Sequence, residues 1–145
     1  MNRSTPHSRI VAIPTRDHSI VDDEYKRGLA LGRAGEFFAA HEAFELAWRA
    51  AAAEERDFFQ GLVHAVVFAY QSGRGREIGA ARQREKALRR LAPYAPAHRA
   101  LDVARLLAAL ERAEPDLREQ LVERDAQPPV APEEEEQAED EQGRA

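Results

Sequence analysis

The sequence contains no cysteine, and it has a single tryptophan and a single methionine. The lack of cysteine excludes disulfides, thiolate metal sites and cysteine nucleophiles. No apolar run approaches the roughly 20 residues that a membrane-spanning helix needs. The apolar segment 10–13 is too short for the core of a secretory signal, and no cleavage pattern follows it. We therefore expect a cytoplasmic protein with no membrane partner.

Strand patterns are also scarce, because no segment alternates between apolar and polar residues for long enough. The length of 145 residues suits one domain with its own core. The predicted fold class is all-α, a compact array of five to six helices around a central apolar helix. The predicted helices span about 22–33, 36–52, 54–72, 76–91 and 97–112, with a short sixth helix beginning at Pro115.

The third predicted helix is the one we expect at the centre, because apolar residues cover almost its whole circumference. Gly61 lies inside this helix, where glycine costs about 1 kcal/mol relative to alanine. A close approach by a neighbouring helix would compensate for that cost, and we expect one at Gly61.

The excess of acidic residues is concentrated at one end of the chain. The formal net charge is −5, but residues 127–145 hold seven acidic residues and one arginine, which gives −6. The other 126 residues carry 20 basic and 19 acidic side chains, so their charge is +1. This division, together with Pro6 and Pro14 near the start, predicts a flexible N-terminal arm (1–20), a single helical domain (21–124) and a disordered acidic C-terminal tail (125–145).

The second predicted helix places a histidine and a carboxylate on its most apolar face. At about 3.6 residues per turn, the side chains that point the same way are Phe37, His41, Phe44, Glu45 and Trp48. Ionisable groups in an apolar stripe are costly unless other polar groups pair with them. We therefore expect polar partners from elsewhere in the fold.

Those partners are expected on the flank of the same helix and on the next one. Glu42 and Arg49 lie on the flank, and Gln60 and His64 form a polar line on the third predicted helix. If the two helices face each other, they share a buried polar cluster. The candidate site is therefore His41, Glu42, Glu45, Trp48, Arg49, Gln60 and His64.

Three interpretations of this cluster stay open. In the simplest, the groups satisfy one another in a structural network without a cofactor. In the second, His41, Glu45 and His64 supply two imidazoles and a carboxylate, a ligand set for a divalent metal such as zinc or iron. In the third, His41 is a general acid or base oriented by Glu45 or Glu42. No nucleophile motif, phosphate loop or oxyanion signature accompanies that histidine.

Two other features suggest binding, and each has a simpler explanation. Basic residues of the fourth predicted helix cluster on one face, at Arg82, Lys86, Arg89 and Arg90. No aromatic residue is interleaved with them, so a solvated face is favoured and nucleic acid is not expected as a partner. Trp48 belongs to an aromatic stripe that is more typical of a core than of a pocket for a small molecule. Self-association into homo-oligomers is expected only because it is common.

Three segments of the chain resemble the small bacterial and archaeal family called domain of unknown function 309. They are Gly35-Glu36-Phe37-Phe38-x-Ala40-His41-Glu42-x-x-Glu45-x-x-Trp48-Arg49, then Phe59-Gln60-Gly61-Leu62-Val63-His64-Ala65, and Gly79-Ala80. The resemblance covers about residues 25 to 91 and implies a compact multi-helical array with no established activity. The chain departs from the family pattern at Ala39, Gln71, Arg76 and Arg84.

These departures favour a binding or scaffold role, because they remove expected members of the family's polar cluster. We therefore expect a non-enzymatic binding or scaffold module. The alternative is a metal-dependent or acid–base enzyme that uses His41, Glu45 and His64.

Overall fold

Consecutive α-helices, joined mostly by short turns, make up the protein. The computed structural model describes residues 4–124, with side chains described from Ser19 onward. The predicted all-α class is confirmed, and five α-helices are present in this region. They are α1 (Ser4–Arg33), α2 (Phe37–Ala50), α3 (Ala53–Gly73), α4 (Glu77–Leu91) and α5 (Val103–Glu111).

Helices α1, α3 and α5 end in turns of the same geometry. In each turn one residue has a positive φ, which is 83° at Gly35, 74° at Gly75 and 57° at Ala113. The amide after it bonds back to a carbonyl five residues earlier, at N···O distances of 2.9 to 3.0 Å. This is the Schellman cap, which satisfies carbonyls left free at a helix C-terminus. Because the helices run alternately up and down, we call the end that carries these three turns the turn end.

The core is apolar and lies between the helices. Its largest fully buried side chains include Tyr25, Phe44, Phe58, Phe59 and Leu62. Helix α3 packs against both α2 and α4, and none of its residues from 58 to 72 is exposed. Burial on this scale is the main stabilising contribution to a helical domain. The predicted position of this helix at the centre of the array stays a prediction.

The expected close approach at Gly61 is confirmed. A Cβ atom built on Gly61 would lie 2.6 Å from Cγ of Leu91, a fully buried residue of α4. No side chain fits in that space without displacing the leucine. The glycine therefore sets how closely α3 and α4 pack.

The ends of the chain differ from the predicted helix boundaries. The first helix begins at Ser4 and not at the expected position near Asp22, because the helix continues through Pro6 and Pro14. A proline near the start of a helix removes no internal hydrogen bond, and one in the interior removes only one. The predicted division into arm, domain and tail stays a prediction, and the acidic tail lies outside the described residues.

The predicted helix over 97–112 is wrong in its first third. A small antiparallel hairpin stands there, formed by β1 (Ala97–His98) and β2 (Leu101–Asp102). Its two turn residues, Arg99 and Ala100, have φ values of 49° and 63°, which no helix permits. Asp102 then caps α5 by accepting a 3.0 Å bond from the Arg105 amide.

The expected sixth helix is reduced to a 3₁₀-helix at Arg118–Gln120, and another 3₁₀-helix at Ala92–Tyr94 follows α4. No helix in residues 4–124 is long and apolar enough to cross a membrane.

Candidate functional site

His41 and Glu45 are brought together, one turn apart on α2. His41 Nε2 lies 3.8 Å from Glu45 Oε2, and the two side chains are 21% and 40% exposed. The other ring nitrogen of His41, Nδ1, is buried and has no hydrogen-bond partner among the described residues. The ring of Phe38 lies 5.2 Å from that of His41. The pair is therefore half open to water and only weakly coupled.

His64 has a different partner from the one we expected. Its Nδ1 lies 2.8 Å from Oε1 of Gln83 on α4. Burial lowers the pKa of His64, and the positive charges of nearby α4 side chains lower it further. Among residues 19–124, whose side chains are described, no three His, Asp or Glu side chains are grouped closely enough to hold a metal ion. The structure does not assemble the predicted three-residue ligand set.

The remaining predicted site residues are spread along α2 and α3. Glu42 and Arg49 are exposed, whereas Trp48 and Gln60 are half-buried. The guanidinium of Arg56 stacks over the Trp48 ring at 4.6 Å. No polar or charged residue in the part of the chain with described side chains is fully buried. The prediction of a sealed polar cluster is therefore wrong, because α2 turns Ala40, Ala43 and Ala47 toward the core and leaves His41 and Glu45 partly exposed.

A tighter polar cluster lies at the opposite end of the molecule from the three turns. Arg99 donates to both Glu55 oxygens, at 2.7 Å from Nε and 2.9 Å from Nη2, and to Asp22 Oδ1 at 2.9 Å. His98 Nε2 lies 2.9 Å from the same Glu55 Oε2, and Tyr25 donates to the Arg99 carbonyl at 2.8 Å. We call these five residues the Arg99 cluster. They join α1, α3 and the hairpin.

Contacts and burial in the Arg99 cluster shift the pKa values of Glu55 and Tyr25. The hydrogen-bonded Arg99 guanidinium is the largest cause that lowers the pKa of Glu55, and burial opposes it. Burial raises the pKa of Tyr25. The Arg99 guanidinium also lies 5.4 Å from the centre of the Tyr25 ring and 5.3 Å from that of Phe59. These shifts favour the carboxylate form of Glu55 and the neutral phenol of Tyr25, which suits a structural role for the two groups.

Sequence reasoning missed the Arg99 cluster. Neither His98 nor Arg99 belongs to a periodic apolar stripe, and both stand in a segment expected to be helical. The one available signal was the pair Pro93 and Pro96, which mark a break in the helix before the hairpin.

A cleft of about 570 Å³ opens at the turn end. Residues in or next to all three turns line it, including Gly35, Phe37, Tyr70, Arg74, Pro115 and Arg118. The Tyr70 ring also contacts Phe38 at 5.2 Å, and Phe38 in turn contacts His41. The predicted α2 site and the cleft are therefore linked through one aromatic ring, although His41 does not line the cleft.

Of the two arginines that line the cleft, one forms an ion pair and the other does not. Arg118 donates to both oxygens of Asp116, at 2.9 and 2.8 Å, and these bonds lower the pKa of Asp116 to about 2. Arg74 has no ion pair among the described residues, and its guanidinium lies 5.5 Å from the centre of the Tyr70 ring. The cleft thus presents two aromatic rings and one cation that is available to an anion.

One comparison with known proteins supports the family resemblance seen in the sequence, and the other two found no match. No curated protein and no solved structure matches the chain. The family described as "Domain of unknown function (DUF309)" matches residues 25–83, which reach from the middle of α1 into α4 and include Phe37 and Tyr70 of the cleft. The predicted resemblance is confirmed, and this segment of the chain is similar to that family.

Proposed function

We propose that the protein is a non-enzymatic binding module whose ligand occupies the cleft at the turn end. The observation that carries this proposal is that residues from three separate turns, far apart in sequence, line one cleft of about 570 Å³. Clefts that bind small molecules typically measure about 300–1,000 Å³. The volume therefore suits a compact molecule or a short peptide segment.

The lining supports one chemical class of ligand. Phe37 and Tyr70 offer apolar ring surface, and Arg74 offers a charge that no described residue neutralises. Such sites favour a flat apolar body that carries one anionic group, since the rings bury the body and the guanidinium binds the anion. The family resemblance adds that Gly35 and Phe37 belong to the segment in which the chain is similar to the family.

The enzymatic alternative has less geometric support. A carboxylate that orients a histidine forms a hydrogen bond to it at an N···O distance of about 2.7–3.2 Å, whereas Nε2 of His41 lies 3.8 Å from Oε2 of Glu45. His64 bonds to an amide and not to a carboxylate. Self-association and a cytoplasmic location stay predictions.

Binding can be tested with 1-anilino-8-naphthalenesulfonate, an aromatic anion of the proposed class, and with N-phenyl-1-naphthylamine, which lacks only the sulfonate. We expect the anion to shift the backbone amide signals of Gly35 and of residues 69–74. Arg74→Gln removes one charge-assisted bond, so affinity for the anion should fall about tenfold. Affinity for the neutral compound should hardly change.

The matched control is Arg112→Gln, which removes an exposed arginine at the same end that does not line the cleft. It should leave both affinities unchanged. Shifts confined to other surfaces, or equal losses in the two variants, would show that the cleft is not the site.

A further inference from the structure

Helix α4 presents a face of unpaired positive charge. Arg82, Lys86 and Arg89 are exposed, and none of them forms an ion pair with a described residue. Two other arginines of α4 do have partners. Arg90 forms an ion pair with Asp57 at 2.6 Å, and Arg84 donates a hydrogen bond to the Leu110 carbonyl at 3.0 Å. We call Arg82, Lys86 and Arg89 the basic face.

The helix itself does not neutralise this charge. Between Glu77 and Leu91 there are five basic residues and two acidic ones, Glu77 and Glu85. Arg82, Lys86 and Arg89 are four and three residues apart on α4, so they lie next to one another on the same side of the helix. Like charges at this spacing repel one another, and an acidic partner would relieve that repulsion.

The same chain supplies an acidic segment. Residues 133–141 contain seven acidic side chains and no basic one. The described part of the chain ends at Arg124, which is fixed to the hairpin by a 2.6 Å bond from its amide to the Ala100 carbonyl and a 2.9 Å bond to Asp102. The hairpin follows the C-terminal end of α4 after a short connection. The described part of the chain therefore ends at the same end of the molecule as Arg89.

The connecting residues can cover the distance. Eight residues separate Arg124 from Glu133, and three of them are prolines. At about 3.1 Å per residue, a proline-rich connection reaches about 28 Å. Helix α4 has 15 residues, so its length is about 22 Å. The connection is therefore longer than α4 itself.

We propose that the acidic segment 133–141 docks on the basic face of α4 in the same chain. The short connection gives the segment a high effective concentration at this face. Each exposed ion pair is weak, so the contact depends on several pairs at once and is sensitive to salt. A docked segment would also hold other polyanions, such as nucleic acid, away from α4.

The absence of native cysteine allows a single label in the full chain. A spin label on Ala138→Cys should broaden the amide signals between Arg82 and Arg89 far more than those of α2. The broadening should fall several-fold between about 0.05 M and about 0.5 M salt, because the screening length shortens. It should also fall several-fold when Glu133 to Glu136 are all changed to glutamine.

The variant Arg82→Gln, Lys86→Gln, Arg89→Gln should lose the broadening. Its matched control carries Arg49→Gln, Arg105→Gln and Arg112→Gln, three exposed arginines without ion pairs among the described residues, and should retain it. Amide dispersion verifies that both variants fold.

Three results would overturn the proposal. One is broadening that is absent, uniform or equal in the two triple variants. Another is broadening that appears only between spin-labelled and isotope-labelled molecules mixed together, since the contact would then join different chains. The third is a basic face whose amide signals shift when a single-stranded oligonucleotide is added but are not broadened by the spin label.

Discussion

Replacing Arg99 with alanine should destabilise the domain more than any other single arginine substitution discussed above. The Arg99 guanidinium makes three charge-assisted hydrogen bonds, two to Glu55 and one to Asp22, and lies over the rings of Tyr25 and Phe59. Through them it ties α1 to α3 and to the hairpin. Alanine at this position would leave the Glu55 carboxylate with His98 as its remaining polar partner.

The magnitude follows from the burial of the pair. Breaking a fully buried ion pair on one side costs about 3–5 kcal/mol, whereas exposed pairs contribute about 0–1 kcal/mol. The side chains of Arg99 and Glu55 are 17% and 20% exposed, and that of Asp22 is 44% exposed. Water therefore reaches part of the cluster and replaces some of the lost bonds. We expect the free energy of unfolding to fall by about 2–3 kcal/mol.

Urea unfolding followed by the fluorescence of the single tryptophan, Trp48, measures this change. Arg27→Ala is the matched control, since Arg27 pairs with Glu24 at 2.9 Å on the surface of α1 and is half exposed. It should cost about 0.5 kcal/mol or less. Arg99→Gly should cost less than Arg99→Ala by about 1 kcal/mol, because glycine adopts the positive φ of this turn without strain.

A double-mutant cycle separates the pair from its surroundings. Combined with Glu55→Gln, the arginine substitution should show a coupling free energy of about 1.5 kcal/mol. The reasoning is refuted if Arg99→Ala costs no more than Arg27→Ala. It is also refuted if the effects of Arg99→Ala and Glu55→Gln simply add, because the ion pair would then contribute nothing of its own.

Two further predictions follow from the described contacts. The folded-state pKa of Glu55 is lowered, so its contribution to stability is present above its unfolded pKa of about 4.3 and is lost as pH falls through the folded value. Urea titrations at falling pH should show a smaller loss of stability in Glu55→Gln than in the native protein. Gly61→Ala should cost about 1–3 kcal/mol by displacing Leu91, whereas Gly73→Ala, with nothing within 4 Å of the added Cβ, should cost far less. Equal costs for the two glycines would contradict the close approach of α3 and α4.

The three inner helices could be predicted closely from the sequence. The expected spans 36–52, 54–72 and 76–91 differ by one or two residues from α2, α3 and α4. Their boundaries were readable because Gly35 and Gly75 mark the ends of the preceding helices, and only a positive φ lets a chain turn there so tightly. Apolar periodicity did not give the buried side of α2, where Ala40, Ala43 and Ala47 face the core beside Phe44.

The hairpin could not be predicted in the same way. Arg99 and Ala100 occupy positive-φ positions that usually select glycine or asparagine, so the local sequence gives no turn signal. Distant residues compensate for the strain, since Tyr25 and Glu55 hold Arg99 from α1 and α3. A conformation that depends on contacts with residues 44 to 74 positions away cannot be predicted from a local sequence pattern.

In the candidate site, too, the sequence predicted the local contact but not the long-range one. Sequence spacing correctly joined His41 to Glu45, because a pair one turn apart on a helix needs no knowledge of the fold. It wrongly joined His64 to them, because which partner a half-buried imidazole meets depends on how α3 is rotated toward α4 and Gln83. The cleft depends on still more, since it forms only when three turns reach the same end. Two phenylalanines of α2 therefore have different surroundings, since Phe44 is buried in the core and Phe37 lines the cleft. Substitutions of Phe37 should change binding more than folding.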